Sequence, residues 1–329
     1  MDADSIPTKL DYYDNMFKLE SKATLISYFK ADDGRQALIL DSTIFHPQGG
    51  GQPSDTGFVT VVDCDVKFAV QDVRSRDGIV FHYGVVESSG GDFEKGFEKG
   101  KEVILYVDES RRKLNSRLHS AGHLLDACMQ NVGLGHSEPA KGYHFPDGPY
   151  VEYKGTVPQS ELQSKAKELE LEANALISRG GKVSVSVLPY EEASKLCDGC
   201  LPDYIPKDST PRIVKLGNNP GGPCGGTHVS DLSEIISVKV SQIRTKKGMT
   251  KADDGRHALI LDSTIFHPQG GSQPLDTGIV SVADCDVNFA AQDVRLKGGT
   301  TAFSRAFDGC RYAKCGIGAF GTGQQLFFP

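Results

Sequence analysis

The chain has 329 residues, 38% of them hydrophobic and 24% charged, with a net charge of −7. That length and composition describe a soluble globular protein of about two domains that needs no disulfide staples. The negative balance excludes whole-surface attraction to nucleic acid, because phosphate contacts come from Lys and Arg.

The first hundred residues read as β-rich. Residues 37–40, 57–62, 66–70 and 103–107 are short β-branched or aromatic runs separated by Gly, Asp and Pro turn signals, which predicts a small barrel. Between two of them lies the glycine-rich stretch 45–57, a loop whose backbone can approach something closely. From Asp108 the period changes. Leu114, Leu118, Ala121, Leu125 and Cys128 recur at three- and four-residue steps and predict an amphipathic helix. Gly122 in its middle costs about 1 kcal/mol relative to Ala, so room for close packing is the expected benefit. Residues 160–177 predict a second long helix stopped by Gly180 and Gly181. Residues 183–187 and 212–216 follow as strands, with a short helix over 191–196 between them and a further strand before Arg244. The fold class expected is α+β, a barrel-like domain followed by a domain in which a helix packs on an antiparallel sheet.

The chemistry concentrates in two spacings. His119 and His123 stand one turn apart on one helix face, so both imidazoles can reach a single ion. Cys224 and His228, again four apart, enclose Gly225 and Gly226, which let the backbone fold tightly enough for both side chains to converge. Three imidazoles and a thiolate form a zinc-type donor set. Cys197 and Cys200 make a solitary C-x-x-C, read as packed thiols rather than as a second metal or redox site. Eight cysteines in a chain of this length do not make a disulfide framework.

Residues 116–125 and 224–229 resemble the two metal motifs of the editing domain shared by alanyl- and threonyl-tRNA synthetases. The stretch 45–57 resembles the glycine-rich motif of free-standing alanyl-tRNA editing proteins, the AlaX type. The resemblance runs over residues 20–250. It implies a Zn²⁺-dependent deacylase acting on the acceptor end of tRNA(Ala) mischarged with serine, with glycine as a second candidate. His119, His123 and Gln52 would then be catalytic, Thr43, Gly49, Gly50, Gly51 and Gln52 would bind substrate, and His119, His123, Cys224 and His228 would hold the metal. Thr43 matches a threonine of the family's pattern and is the expected partner of the serine hydroxyl; His46 is read as a packed loop side chain. Such a site is also expected to be nucleotide-binding, and Arg111, Arg112, Lys113, Arg117 and residues 244–248 supply basic patches close in sequence to the metal ligands. A threonyl-type editing module and a catalytically silent zinc-binding RNA module are the alternatives. Four protein ligands make a closed, structural ion, whereas one yielding to water makes a catalytic one; the sequence leaves both open. No run approaches the ~18 residues of a membrane span, and the acidic N-terminus is unlike a signal peptide. A cytoplasmic location with no membrane is expected.

The domains read as 1–107 (β-rich), 108–250 (zinc-binding editing domain) and 251–329. This last stretch is a partial duplicate. Residues 251–299 repeat 30–78 at an offset of 221, identical at 38 of 49 positions, with Ser272 in place of Gly51. The copy ends before any counterpart of the 103–107 strand or of the metal ligands. It is expected to pack poorly, to carry no second site and to be dispensable.

Overall fold

The computed structural model describes residues 6–31, 33–62, 64, 66–87, 96–199 and 201–246, together with strand segments within 249–327. It divides into two compact units, one comprising residues 1–151, 162–243 and 326–329, the other residues 152–161 and 244–325.

The first unit begins with β1 (Lys9–Leu10) and a single helical turn, α1 (Asp11–Asp14), and then forms the predicted barrel. β2 (Glu20–Lys30), β3 (Gln36–Leu40), β5 (Gly57–Val61), β6 (Lys67–Arg76), β7 (Ile79–Glu87) and β8 (Glu102–Val107) close in the order β2-β3-β7-β6-β5-β8, every pairing antiparallel. The short β4 (Ser42–Thr43) pairs in parallel with β1. Alternating residues fill the interior: Leu25, Leu38, Leu40, Val59, Phe68, Val80, Val103 and Leu105 belong to one buried cluster. Closure leaves no free edge among these strands. β8 is the closing element, paired with β2 on one side and β5 on the other.

The helix α2 (Glu109–Asn131) starts where the sequence predicts. Asp108 caps it by accepting the Arg111 N–H at 2.9 Å. β9 (Glu138–Tyr143) and β10 (Tyr150–Lys154) follow, strands that the sequence did not announce. Helix α3 (Leu162–Arg179) ends at Gly180, whose φ of +68° is the left-handed conformation glycine tolerates. Strand β11 (Val183–Val187), α4 (Tyr190–Leu196), β12 (Arg212–Leu216) and β13 (Gly221–Pro223) complete a three-stranded antiparallel sheet with one short helix. Helix α2 contacts α3 and β12.

The strand expected before Arg244 begins later than anticipated. Asp231 and Glu234 form a capping box that nucleates a 3₁₀ turn over Leu232–Ile235, and Ile236 then takes a positive φ of 75°, so regular strand starts only at β14 (Gln242–Lys246).

One buried ion pair fastens helix to barrel. Arg112 on α2 and Asp55 beside β5 meet at 2.6 Å with side chains 4% and 0% exposed. The guanidinium also donates to the carbonyls of Met16 and Ile44, and Asp55 accepts the His46 N–H. Every strong donor and acceptor is matched, which is what makes such burial tolerable. Arg112, read from sequence as part of a nucleic-acid patch, is therefore a structural residue. Arg111 donates to Ser54 O, Lys113 pairs with Glu109 and Arg117 donates to Glu234 O, so the rest of that patch is also engaged within the chain.

In the second unit the duplicate reproduces the pairing registers of the original. β15 (Met249–Lys251), β16 (His257–Leu261), β19 (Asp293–Lys297) and β20 (Thr300–Arg305) form a sheet in the order β15-β16-β20-β19, and β17 (Gly278–Ser281) pairs with β18 (Asn288–Ala291). Shifted by 221, Lys30↔Gln36 becomes Lys251↔His257 and Gly57↔Val70 becomes Gly278↔Ala291. Within this unit, no described strand pairs with β15 and β17 as β8 pairs with β2 and β5. The last strand is β21 (Gly323–Phe327).

Two outcomes follow. Arg112→Met leaves Asp55 buried without its partner and should cost about 3–5 kcal/mol in urea unfolding, with the double substitution Arg112→Met/Asp55→Leu recovering part of it. A chain ending at Lys251 should keep a cooperative unfolding transition and its bound metal; loss of either would show that residues 252–329, the last four of which belong to the first unit, have been built into the fold.

Candidate metal centre

Helix α2 presents His119 and His123 on one face, and the loop after β13 brings Cys224 and His228 to them. One ligand atom from each of the four lies within 4.8 Å of all the others. This is looser than the ~4 Å of an ideal tetrahedron with 2.0–2.3 Å bonds, but two edges are already at that scale: Cys224 Sγ lies 3.5 Å from His119 Nε2 and 3.3 Å from His228 Nε2. His119 and His228 are buried, while His123 and Cys224 are partly exposed, so the cluster has one accessible side.

The hydrogen bonds behind the cluster fix which imidazole nitrogen faces it. Thr227 N–H donates to Gln52 Oε1 at 2.9 Å, and Gln52 Nε2 donates to Thr227 Oγ1 at 2.9 Å, so the amide cannot be reversed. His119 Nδ1 lies 2.7 Å from that same Oε1, and an oxygen that only accepts requires Nδ1 to carry the proton. The lone pair of Nε2 is thereby turned toward Cys224. His228 is held with Nδ1 3.0 Å from Ser120 Oγ, a hydroxyl that can donate or accept, and with Nε2 toward the sulfur. This is the outer-shell arrangement that orients metal-binding histidines.

Burial pushes the imidazoles toward neutrality, His123 down to about 4 and His119 and His228 well below the usual imidazole range, the last two helped by repulsion from neighbouring rings. Burial also pushes the Cys224 thiol up to about 11, against the Gly226 N–H that points at Sγ from 3.3 Å and the nearby Arg212. Neutral imidazoles are the ligating form, and a divalent cation at the convergence point would ionise the thiol. The residues therefore fit a zinc ion. Bound there, zinc supplies polarisation of a carbonyl or an acidified water.

The loop is set by Arg212, which donates to Cys224 O at 2.6 Å and Gly226 O at 2.9 Å. Met16 supports it from the other side, its thioether accepting the His228 N–H at 3.4 Å. Neither Gly225 nor Gly226 has a positive φ. Their requirement is space: a Cβ on Gly226 would collide with the His119 ring, and one on Gly225 would crowd the Tyr13 hydroxyl.

The glycine-rich stretch reaches the centre, but not in the manner expected. Gly49 and Gln52 exchange backbone hydrogen bonds across a tight turn in which Gly50 and Gly51 have φ of +56° and +79°. Gly49 and Gly50 are exposed. Gln52 is fully buried with both ends of its amide engaged, which corrects its assignment as a catalytic or substrate-binding group: it positions His119. Thr43 needs a larger correction. It is fully buried, and its hydroxyl lies 2.8 Å from His82 Nε2 and accepts the Phe45 N–H, leaving no open face for a substrate hydroxyl. The cavity of about 160 Å³ beside the centre is lined by His228, Ser116, Arg117, Met16 and Phe17, with neither Thr43 nor Gln52 in its wall. His46 is packed, as read. Cys197 packs with Ala193, Leu201 and Ile213, and Cys200 lies outside the described residues, as do residues 247–248 of the second basic patch.

Sequence reasoning missed His144. Its buried ring stacks on His119 at 4.5 Å, and its backbone N–H donates to Gly51 O at 2.8 Å, tying the glycine turn to the metal helix. A Cβ on Gly122 would collide with this ring, which is the packing benefit that offsets a helical glycine. The only sequence signal was Gly122, which pointed to close packing but not to His144 as the group packed there.

A barrel joined to a three-histidine, one-cysteine centre defines the class, and comparison with known proteins agrees with it. The family model described as tRNA synthetases class II (A) matches residues 8–111. The alanyl-tRNA editing protein AlaX-L of Pyrococcus horikoshii is 31% identical over 239 residues, 71% of this chain and 54% of that protein. The alanine–tRNA ligase of Methanosarcina mazei is 30% identical over 237 residues, 71% of this chain and 24% of the ligase. The chain thus belongs to the family that unites AlaX-type alanyl-tRNA editing proteins with a region of alanine–tRNA ligases, and it spans about half and a quarter of these relatives' lengths respectively. Among the described residues no helix is long and apolar enough to cross a membrane.

The outer hydrogen bonds predict a graded response to substitution. Cys224→Ala should abolish stoichiometric zinc, measured by metal analysis after dialysis, whereas Gln52→Leu, which touches no metal, should weaken zinc affinity about 10- to 100-fold.

Proposed function

We propose that the chain is a trans-editing hydrolase that cleaves the ester of Ser-tRNA(Ala), with Gly-tRNA(Ala) as a second candidate substrate. The observation that carries this reading is the meeting of the AlaX-type glycine-rich motif with both metal motifs: Gln52 from the first bonds His119 from the second and Thr227 from the third. An aminoacyl ester is already activated, so positioning and oxyanion stabilisation account for most of what hydrolysis needs. The neutral imidazoles and Cys224 would hold the zinc, and the glycine turn would offer the N–H groups of Gly50 and Gly51 to the acceptor end, that of Gly49 being bonded to Gln52 O. Residues 108–250 are read as the editing domain proper, with His119 and His123 as catalytic ligands. The substrate's tRNA(Ala) identity is inferred from the names of the relatives, and a cytoplasmic setting goes with it.

An apolar synthetic site rejects serine in favour of alanine by only roughly a hundredfold, which leaves work for a second enzyme. An editing site that hydrogen-bonds the serine hydroxyl rejects alanine by as much as roughly 10⁴-fold, since its polar groups would be left unpaired. With Thr43 closed off inside the barrel, that contact falls to a group on the open side of the centre.

Deacylation of separately prepared Ser-, Gly- and Ala-tRNA(Ala) tests the proposal. Serine should be released fastest and alanine slowest, and Cys224→Ala and His123→Ala should abolish release. Tight binding of tRNA(Ala) with no release from any of the three would instead establish a silent zinc-binding RNA module.

A further inference from the structure

Three aromatic rings stand in register beside the metal centre. Tyr143 stacks on Phe145 at 4.5 Å with 12° between planes, and on Tyr150 at 5.2 Å with 18°. All three are half-buried, and the turn between Phe145 and Tyr150 exposes Pro146, Asp147 and Gly148. Aromatic pairs in a protein interior take edge-to-face as well as offset-stacked arrangements, so three near-parallel rings at a surface turn make a flat face. Phe145 closes one end of the ladder: its one ring contact among the described residues is Tyr143. Tyr143 is held from its far end by the hydroxyl, which donates to Asp147 at 3.1 Å.

The chain alternates here. Between Tyr143 and Phe145, His144 turns inward to stack on His119, and its N–H bonds Gly51 O. Gly51 in turn lies so close to Gly142 that a Cβ would collide with the Gly142 carbonyl. The ladder is therefore continuous through one residue with the metal centre on one side and the glycine turn on the other. A group stacked on it is delivered next to both.

We propose that Tyr143, Phe145 and Tyr150 form a stacking platform for the unpaired 3′-terminal bases of an RNA. Bases have π-faces irrespective of sequence, and aromatic side chains bind single strands through them. The net charge of −7 favours this mode over broad phosphate attraction. The identity of the RNA rests on the editing reading above; the platform itself does not require hydrolysis.

Fluorescence anisotropy on the full chain tests it, using a short labelled single-stranded RNA ending in C-C-A and the same RNA with an abasic terminal nucleotide. The base-bearing RNA should bind about tenfold or more tightly, the equivalent of one stacked base. Both RNAs carry the same phosphates, so the ratio should persist when salt is raised. Phe145→Leu, which keeps apolar bulk but removes the π-face, should erase the ratio, and Phe145→Tyr should retain it. Equal affinity of the unmodified chain for the two RNAs, no binding of either, or an undiminished ratio in Phe145→Leu would overturn the platform. Failure of the editing reading looks different: the ratio survives while no mischarged tRNA is hydrolysed.

Discussion

The side-chain amide of Gln52 is the contact on which the centre depends. Its oxygen accepts from the Thr227 amide and from His119 Nδ1, and its nitrogen donates to Thr227 Oγ1, so one residue of the barrel's glycine turn reads both the helix and the Cys/His loop. Those bonds span 67 and 175 residues of sequence. Because a backbone N–H can only donate, the amide has one orientation, His119 has one tautomer, and the nitrogen left over faces Cys224. The ligand set is thus prepared by neutral hydrogen bonds before any ion binds, which reduces the reorganisation that binding demands. The turn that delivers Gln52 needs glycine at 50 and 51 for backbone reasons, and the Arg112–Asp55 pair keeps the helix seated on the barrel so that the reach remains short.

What the sequence disclosed were features with local causes. Four of the six barrel strands, the start of α2 at Asp108, the end of α3 at Gly180 and the grouping of His119, His123, Cys224 and His228 are written in periodicity, caps and spacing, whereas β2 and β7 were not anticipated. What it hid depends on contacts between distant segments. His144 has no motif, β9 contains Pro139 and Gly142, and β10 is only five residues long. Thr43 matched a family pattern, but pattern does not report that His82 already occupies its hydroxyl. Arg112 looked like one of several basic residues on a helix; only the fold shows it facing Asp55. Gly225 and Gly226 were anticipated correctly as necessary, for the wrong physical reason: closeness to His119 and Tyr13 decides, since their φ angles are ordinary.

The duplicate separates what makes a barrel from what makes a site. β16, β17, β18 and β19 lie in the copied stretch and keep the original registers, while β20 lies beyond it and pairs as β7 does. The site was not copied, because its ligands come from α2 and the Cys/His loop. Even the glycine turn is altered: Ser272 stands where Gly51 has φ +79° and no room for a Cβ against Gly142. A copy of the glycine turn without its two partners has nothing to orient.

The central claim is that His119, His123, Cys224 and His228 bind one zinc ion as a set oriented from behind. X-ray absorption at the zinc edge, on chain purified with its native metal, reads the donor atoms directly. One sulfur at about 2.3 Å and nitrogen neighbours at about 2.0–2.1 Å are predicted. A shell of nitrogen and oxygen with no sulfur, or chain that retains no zinc, would contradict the account.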